Sequence, residues 1–162
     1  MTYTLNLTTI ATHNGASVFE CWALTPGFVT SSQPGTVGAS SLQLGNLANA
    51  SYSILPANFS AGRHNAPNVQ YVVFLSGLAQ ITLPNSTAEA WVVGGEQGLI
   101  LATDIPALST FGHITTYPSF VETRALQIPT EDGAIPPHTV LHSGPCVYSE
   151  EPFGKRSLTE LD

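Results

Sequence analysis

Residues 62–77 read GRHNAPNVQYVVFLSG and contain the pattern that decides the fold. Side chains alternate between the two faces of a β-strand, so alternate residues of this stretch share a face if Pro67 leaves the alternation intact. The opposite face takes Tyr71, Val73 and Leu75. The first face carries an imidazole, two amides and apolar groups, from His64, Ala66, Asn68, Gln70, Val72 and Phe74. This mixture is typical of a small-molecule pocket, although an isolated histidine can equally be a structural residue.

The rest of the chain is also predicted to be β-structure. Short runs of β-type residues alternate with Gly, Pro, Asn and Ser, and long helical periodicity is nearly absent, as in an antiparallel sandwich or barrel. The predicted strands are Tyr3–Thr9, Ser17–Trp22, Ser51–Leu55, Val69–Leu75, Ala79–Leu83, Ala90–Val93, Gly98–Ala102, His113–Tyr117, Val121–Ile128 and Thr139–His142.

We expect a single domain over residues 1–162, because this length suits one self-sufficient core. Residues 25–49 are rich in Ser, Gly and Pro, and we expect them to form a binding loop or a dimer arm. Residues 149–162 are expected to form a surface tail. The two cysteines, Cys21 and Cys146, follow no motif spacing, which favours free thiols over one disulfide in an intracellular protein.

Charged residues make up only 9% of the chain, against about a quarter in an ordinary soluble domain. Glu20 is the only charged side chain before Arg63. A surface so poor in charge commonly marks a subunit interface or a ligand mouth, so we expect a homodimer. The net charge of −7 argues against nucleic-acid binding. Short apolar runs argue against membrane insertion, and the absence of a secretory pattern predicts a cytoplasmic protein.

At residues 62–77 the chain resembles the cupin superfamily. The first cupin motif contains His-x-His, then Glu, then Gly. In this chain His64, Ala66, Gln70 and Gly77 stand at a similar spacing, with Ala66 in place of the second His and Gln70 in place of the Glu. Two of the three ligands of that motif are therefore replaced. The resemblance covers roughly residues 50–128.

The second cupin motif centres on a histidine, and Phe111-Gly112-His113-Ile114 is similar to it. Tyr117 stands where the motif has an asparagine. The resemblance implies a small antiparallel β-barrel of the jelly-roll type, often dimeric, in which His64, Gln70 and His113 converge inside the barrel.

Ligand chemistry then separates two interpretations of this site. Non-haem iron requires two imidazoles and a carboxylate, and zinc requires several N, S or O donors. Here an amide and a methyl group stand at two ligand positions, so we predict no metal and no cofactor. The alternative is a divalent metal, Fe or Zn, bound by His64, Gln70 and His113 and completed by Glu20, Asp104 or Glu122.

Without a metal, His64 and His113 are the candidate catalytic acid and base, because imidazole titrates near neutral pH. The candidate substrate-binding residues are Gln70, Asn68, Phe74, Tyr117 and Arg63. Trp91 and Phe120 are expected in the core, His138 in a loop, His142 at a barrel edge, and Arg124 paired with Glu122.

The leading functional hypothesis is a non-redox enzyme, namely an isomerase, dehydratase or cyclase, with a cycloaddition catalyst among the options. Its substrate would be a neutral, largely apolar intermediate, as for the tailoring cupins of secondary metabolism that this chain resembles. The alternatives are a metal-dependent dioxygenase or isomerase, and a small-molecule-binding barrel without catalysis.

Overall fold

The computed structural model describes residues 3–147. They form β-strands joined by turns and one short 3-10 helix at Glu131–Gly133. The strands are β1 Asn6–His13, β2 Ala16–Leu24, β3 Val29–Thr30, β4 Ser40–Ser41, β5 Ser51–Leu55, β6 Phe59–His64, β7 Gln70–Ser76, β8 Leu78–Thr82, β9 Glu89–Val93, β10 Leu99–Ala102, β11 His113–Tyr117, β12 Thr123–Pro129 and β13 His138–Ser143.

The strands build two main sheets. A seven-stranded sheet has the order β13-β2-β1-β10-β7-β12-β5, and a four-stranded sheet has the order β6-β11-β8-β9. One hydrophobic core contains side chains of both, including Ile10 and Phe74 from the larger sheet and Ile81 and Val92 from the smaller. The predicted all-β class is confirmed, and the arrangement is that of a small β-sandwich. Within residues 3–147 the hydrogen-bonded sheets do not close into a barrel.

The segment 25–49 covers the outer face of the seven-stranded sheet. Its side chains Phe28, Leu42 and Leu44 pack against a second core cluster that contains Tyr71. The Tyr71 hydroxyl, on a fully buried side chain, donates to the backbone oxygen of Leu44 at 3.1 Å. This segment therefore gives the central strands an apolar cover on their second face, and β3 and β4 pair within it.

Pro67 does break the alternation on which the first strand prediction rested. His64 ends β6 in the smaller sheet, whereas Gln70 begins β7 in the larger one. Strand β6 was not predicted, because most of its side chains are exposed and it shows no apolar period. The predictions for Ser51–Leu55 and His113–Tyr117 match β5 and β11 residue for residue.

Three expectations about individual side chains are wrong. Trp91 is 51% exposed and Phe120 is 93% exposed, so neither belongs to the core. Trp91 lies on the outward side of β9, and its indole N–H donates to Glu89. His138 begins β13 and stacks on Trp22, with ring centroids 3.4 Å apart, instead of lying in a loop.

The two cysteines are paired, contrary to the expectation of free thiols. Cys21 on β2 forms a disulfide with Cys146, which lies 125 residues away in sequence. Strand β13 pairs with β2, and the chain then turns so that the Cys146 N–H donates to the Thr8 hydroxyl. This return of the chain brings the two sulfur atoms together, and no local sequence pattern signals it.

The ion pair expected between Arg124 and Glu122 is present, and Arg124 also donates to the Tyr52 hydroxyl. His142 lies on β13, an edge strand of the larger sheet. The predicted surface tail at 149–162 lies outside the described residues. Within residues 3–147 no helix combines the length and apolar character needed to cross a bilayer.

Candidate active site

A cavity of about 220 Å³ lies in the core between the two sheets. His64, Gln70, Phe74, His113 and Tyr117 all line it, although they come from three different strands. Its apolar lining comprises Ile10, Ala66, Pro67, Val72, Ile81, Ile100 and Ala102, and its further polar lining comprises Thr115 and Gln127. The fold thus brings together most of the residues that the sequence nominated.

The two imidazoles face each other across the first rung of the β6–β11 ladder. His64 and His113 are register partners, and their ring centroids lie 4.5 Å apart with planes inclined at 63°. Gly112 makes this approach possible: it has φ +63°, and an added Cβ would lie 2.2 Å from the His64 carbonyl oxygen. Glycine is the residue that tolerates both the left-handed conformation and the close backbone contact.

His113 is held by a buried carboxylate. Its Nδ1 lies 2.7 Å from Asp104 Oδ2, and Asp104 is fully buried. The Ser17 hydroxyl donates to the same oxygen at 2.7 Å. An Nδ1–H that donates to Asp104 leaves Nε2 of His113 with its lone pair, which is the tautomer of a general base.

A chain of hydrogen bonds fixes the Asp104 carboxylate. The Gly112 N–H donates to the Ser109 hydroxyl at 3.0 Å, and the Ser109 and Ser17 hydroxyls lie 2.8 Å apart. The Asn65 amide donates to the backbone oxygens of Asp104 and Ser109, which ties the end of β6 to the same loop. Sequence reasoning considered Asp104 only as a spare metal ligand and missed this orienting contact.

His64 is held in the same tautomer by the backbone. Its Nδ1 lies 2.9 Å from the Gly62 carbonyl oxygen, which can only accept, so Nδ1 carries the hydrogen and Nε2 has the lone pair. Burial lowers the pKa of His64 from 6.5, and the charge of His113 lowers it further, against the opposing effects of the Gly62 hydrogen bond and Asp104. His64 is therefore neutral at neutral pH.

Three further polar groups line the cavity without a protein partner. Within residues 3–147 no side-chain hydrogen bond is made by the Gln70 amide, the Thr115 hydroxyl or the Tyr117 hydroxyl. The three residues are nevertheless buried, with exposed fractions of 7%, 4% and 8%. Burial raises the pKa of Tyr117 to about 12, so its hydroxyl keeps its proton and can donate. Buried polar groups are normally hydrogen-bonded, so this cluster indicates a place for a ligand or water.

Two predicted substrate contacts do not reach the cavity. Asn68 lies in the turn between Pro67 and β7 and is exposed, and Arg63 is exposed on β6 with its side chain directed away from His64 by strand alternation. Neither residue lines the cavity. The prediction that Asn68 shares a wall with Gln70 is corrected, because the strand begins only after Asn68.

The residues around the two imidazoles do not fit a metal ion well. Ala66 has no donor atom, Gln70 provides no charge, and Asp104 Oδ2 is already bound to His113 and Ser17. Glu20 and Glu122 lie outside the cavity lining. In the described part of the chain no three His, Cys, Asp or Glu side chains are grouped to hold a metal.

A second concavity, of about 520 Å³, contains Glu20, His13, Trp22 and His138. Here the polar atoms satisfy one another: Glu20 Oε1 lies 2.5 Å from His13 Nε2, and Oε2 accepts from the Trp22 indole at 2.6 Å. Burial acts to raise the pKa of Glu20, but the bonds from Trp22 and His13, with the charges of His13 and His138, lower it overall. With its donors and acceptors paired internally, this concavity is a weaker ligand site than the cavity between the sheets.

Replacing Gly112 by Ala is expected to lower the free energy of unfolding by about 2–4 kcal/mol, because the new Cβ both strains a positive φ and collides with the His64 backbone. Gly45→Ala is the matched control: Gly45 has φ +88° but open space around it, so it reports the cost of the conformation alone. Denaturant unfolding of the two variants measures the difference. Equal losses would show that the close approach to His64 is relaxed at no cost.

No protein-family model matches the chain, and no curated protein matches it. Among solved structures, the chain is similar to the crystal structure of the conserved protein SPY1581, of unknown function, from Streptococcus pyogenes. The identity is 22%, the match covers 56% of this chain and 70% of that one, and the TM-score is 0.37. A likeness of this degree adds nothing to the argument on function, which depends on the cavity itself.

Proposed function

We propose that the protein catalyses a non-redox rearrangement of a neutral, largely apolar small molecule in the cavity between the sheets. The reaction class is isomerisation, dehydration or cyclisation, with proton transfer by the two imidazoles. The observation that carries the proposal is the Asp104–His113 contact at 2.7 Å beside a second, neutral imidazole. A buried carboxylate that orients a histidine is a recurring device for general acid–base catalysis.

The two histidines have different parts in this proposal. His113 takes up the substrate proton on Nε2, because the Asp104 charge stabilises the imidazolium that forms. His64, whose pKa burial lowers, remains neutral and accepts a hydrogen bond or receives the proton next. Gln70 and Tyr117 stabilise negative charge that develops on a substrate oxygen. A cycloaddition of an already reactive substrate would use the same cavity mainly for orientation.

The test uses 5-nitrobenzisoxazole, a neutral bicyclic compound that opens when a base removes its ring C–H proton. The proton passes to His113 Nε2, the N–O bond breaks, and a coloured cyanophenolate is released. We expect the protein to exceed the rate with free imidazole, and His113→Ala to lower that rate about 10²-fold. His142→Ala is the matched control, because His142 lies on β13 and does not line the cavity.

The pH profile of the same reaction provides a second readout. In His113→Ala the remaining base is His64, and burial, the largest cause of its lowered pKa in the intact protein, is expected to keep that pKa below 6.5. A lowered pKa keeps the base neutral at and above pH 6.5, so the residual rate should fall only on acidification below that value. Rates equal to free imidazole in every variant would contradict the proposal. Recovery of a lost rate in chelated protein by one added ion would favour the metal-dependent alternative.

We also propose, from the cupin resemblance, that the two sheets belong to a jelly-roll-type fold and that the chain forms a homodimer. The dimer proposal is supported by the scarcity of charge before Arg63, where Glu20 is the one charged side chain, and by the edge strand β5, where Tyr52 and Ile54 are half exposed. Light scattering is expected to give twice the chain mass of 17.1 kDa. The mass of one chain at micromolar concentration would refute the dimer.

A further inference from the structure

We infer that the cavity binds a neutral molecule whose polar edge carries a hydroxyl donor and a separate carbonyl acceptor, such as a hydroxyaryl ketone with the two groups meta to each other. The inference rests on the proposed function, since it names the substrate class for the same cavity. It follows from matching the unpaired donors and acceptors of the wall, one by one, to a ligand.

The imidazole side of the cavity requires a donor. Asp104 and the Gly62 carbonyl each take up an Nδ1–H, so both Nε2 atoms present lone pairs when the histidines are neutral. His64 and His113 stand 4.5 Å apart between ring centroids, and neither Nε2 has a hydrogen-bond partner within residues 3–147. Two acceptors cannot hydrogen-bond to each other. A ligand hydroxyl placed between them donates to one and can pass its proton to either.

The donor groups of the cavity require an acceptor on the ligand, and they belong to Gln70, Thr115 and Tyr117. The Gln70 amide carries two N–H donors, and the Thr115 and Tyr117 hydroxyls each carry one. All three line the cavity, are more than nine-tenths buried, and lack a partner in the described part of the chain. A single carbonyl oxygen has two lone pairs and can accept from two of these groups at once.

The remaining wall limits the charge and size of the ligand. Ile10, Val72, Phe74, Ile81 and Ile100 surround the rest of the space, and no Arg, Lys, Asp or Glu of residues 3–147 lines it. An anionic ligand would lose its hydration without gaining a counter-charge. The volume of about 220 Å³ is at the small end for ligand pockets, which suits a compact one- or two-ring molecule.

The experiment is an equilibrium titration by calorimetry with four compounds that differ only at their polar edge. The probe 3-hydroxyacetophenone has both groups, 3-methoxyacetophenone lacks the donor, 3-ethylphenol lacks the carbonyl, and 3-hydroxybenzoate replaces the ketone by an anion. We expect the hydroxy ketone to bind about tenfold more tightly than either neutral analogue, because each analogue leaves buried groups unpaired. The anion should bind most weakly.

Variants assign each preference to its side of the cavity. Gln70→Leu should abolish most of the preference for the ketone over 3-ethylphenol, and His64→Phe should abolish most of the preference for the hydroxyl over the methyl ether. Gln33→Leu, in the exposed segment before β4, is the matched control and should change neither. Equal affinity for the three neutral compounds, no binding of any, or tightest binding of the anion would overturn the inference.

These outcomes are separate from those of the proposed function, because binding involves no chemical step. A protein that opens 5-nitrobenzisoxazole but shows no preference for the hydroxy ketone would retain its base catalysis and lose this substrate class. A protein with the expected preference but no ring opening would retain the ligand class as a binding specificity, and the catalytic proposal would fall.

Discussion

Replacing Asp104 by Asn is expected to lower the rate of base-catalysed ring opening by up to about 10²-fold, the loss expected for removing His113, through which Asp104 acts. An asparagine side chain can turn its NH₂ towards His113 Nδ1, which would then accept, so the proton moves to Nε2 and the base is lost. Nitrogen NMR of the imidazoles reads this change directly, since it separates the two tautomers. A substitution that acted only on folding would leave the tautomer of His113 unchanged.

The same variant is expected to melt at nearly the temperature of the wild-type protein. Asp104 Oδ1 is buried without a hydrogen-bond partner in residues 3–147, so the carboxylate is desolvated without full compensation. Removing its charge offsets the lost contact to Ser17. Asp132→Asn is the matched control, because Asp132 is exposed in the 3-10 turn. Unchanged ring opening in Asp104→Asn would show that the carboxylate does not position a catalytic His113.

Loss of the Cys21–Cys146 disulfide should lower the melting temperature by about 10 °C. The bridge closes a loop of 125 residues, and loops of this length correspond to roughly 2–5 kcal/mol of stabilisation through the unfolded chain. The double variant Cys21→Ala/Cys146→Ala avoids leaving one unpaired thiol in the core. Differential scanning calorimetry with and without reductant makes the comparison.

Reductant provides the internal control for this prediction. It should lower the melting temperature of the wild-type protein to that of the double variant, and should not change the double variant. Two free thiols in the unreduced wild-type protein would contradict the pairing. So would an unchanged melting temperature after complete reduction.

The sequence predicted the all-β class because apolar alternation is strong where one face of a strand is buried. Strand β9 shows this: Ala90 and Val92 are buried, while Glu89 and Val93 on the other face are exposed. Strand β6 escaped prediction because its faces are mostly exposed, with Gly62 at a positive φ. Trp91 shows where prediction from alternation fails, because a large aromatic side chain on an alternating strand can lie on the solvent-exposed face.

The strand residues of the candidate site could be predicted from the sequence, but the Asp104 carboxylate that orients His113 could not. His64, Gln70 and His113 stood out by type and spacing, and the structure places all three around one cavity. Asp104 did not, because it lies in an irregular loop nine residues before His113, and only the path of that loop brings its carboxylate to His113 Nδ1. Contacts that depend on how a loop returns to a sheet leave no periodic signal in the sequence.

The pairing of Cys21 with Cys146 also closes a covalent ring across a sequence separation of 125 residues. Residues 33–40 lie on this ring and are exposed throughout, so a protease that cuts there would open the ring without separating the two fragments. A nicked molecule should run as a single species on a denaturing gel without reductant and as two after reduction. The disulfide would keep both fragments, and with them the strands that line the cavity, in one molecule after a backbone cut.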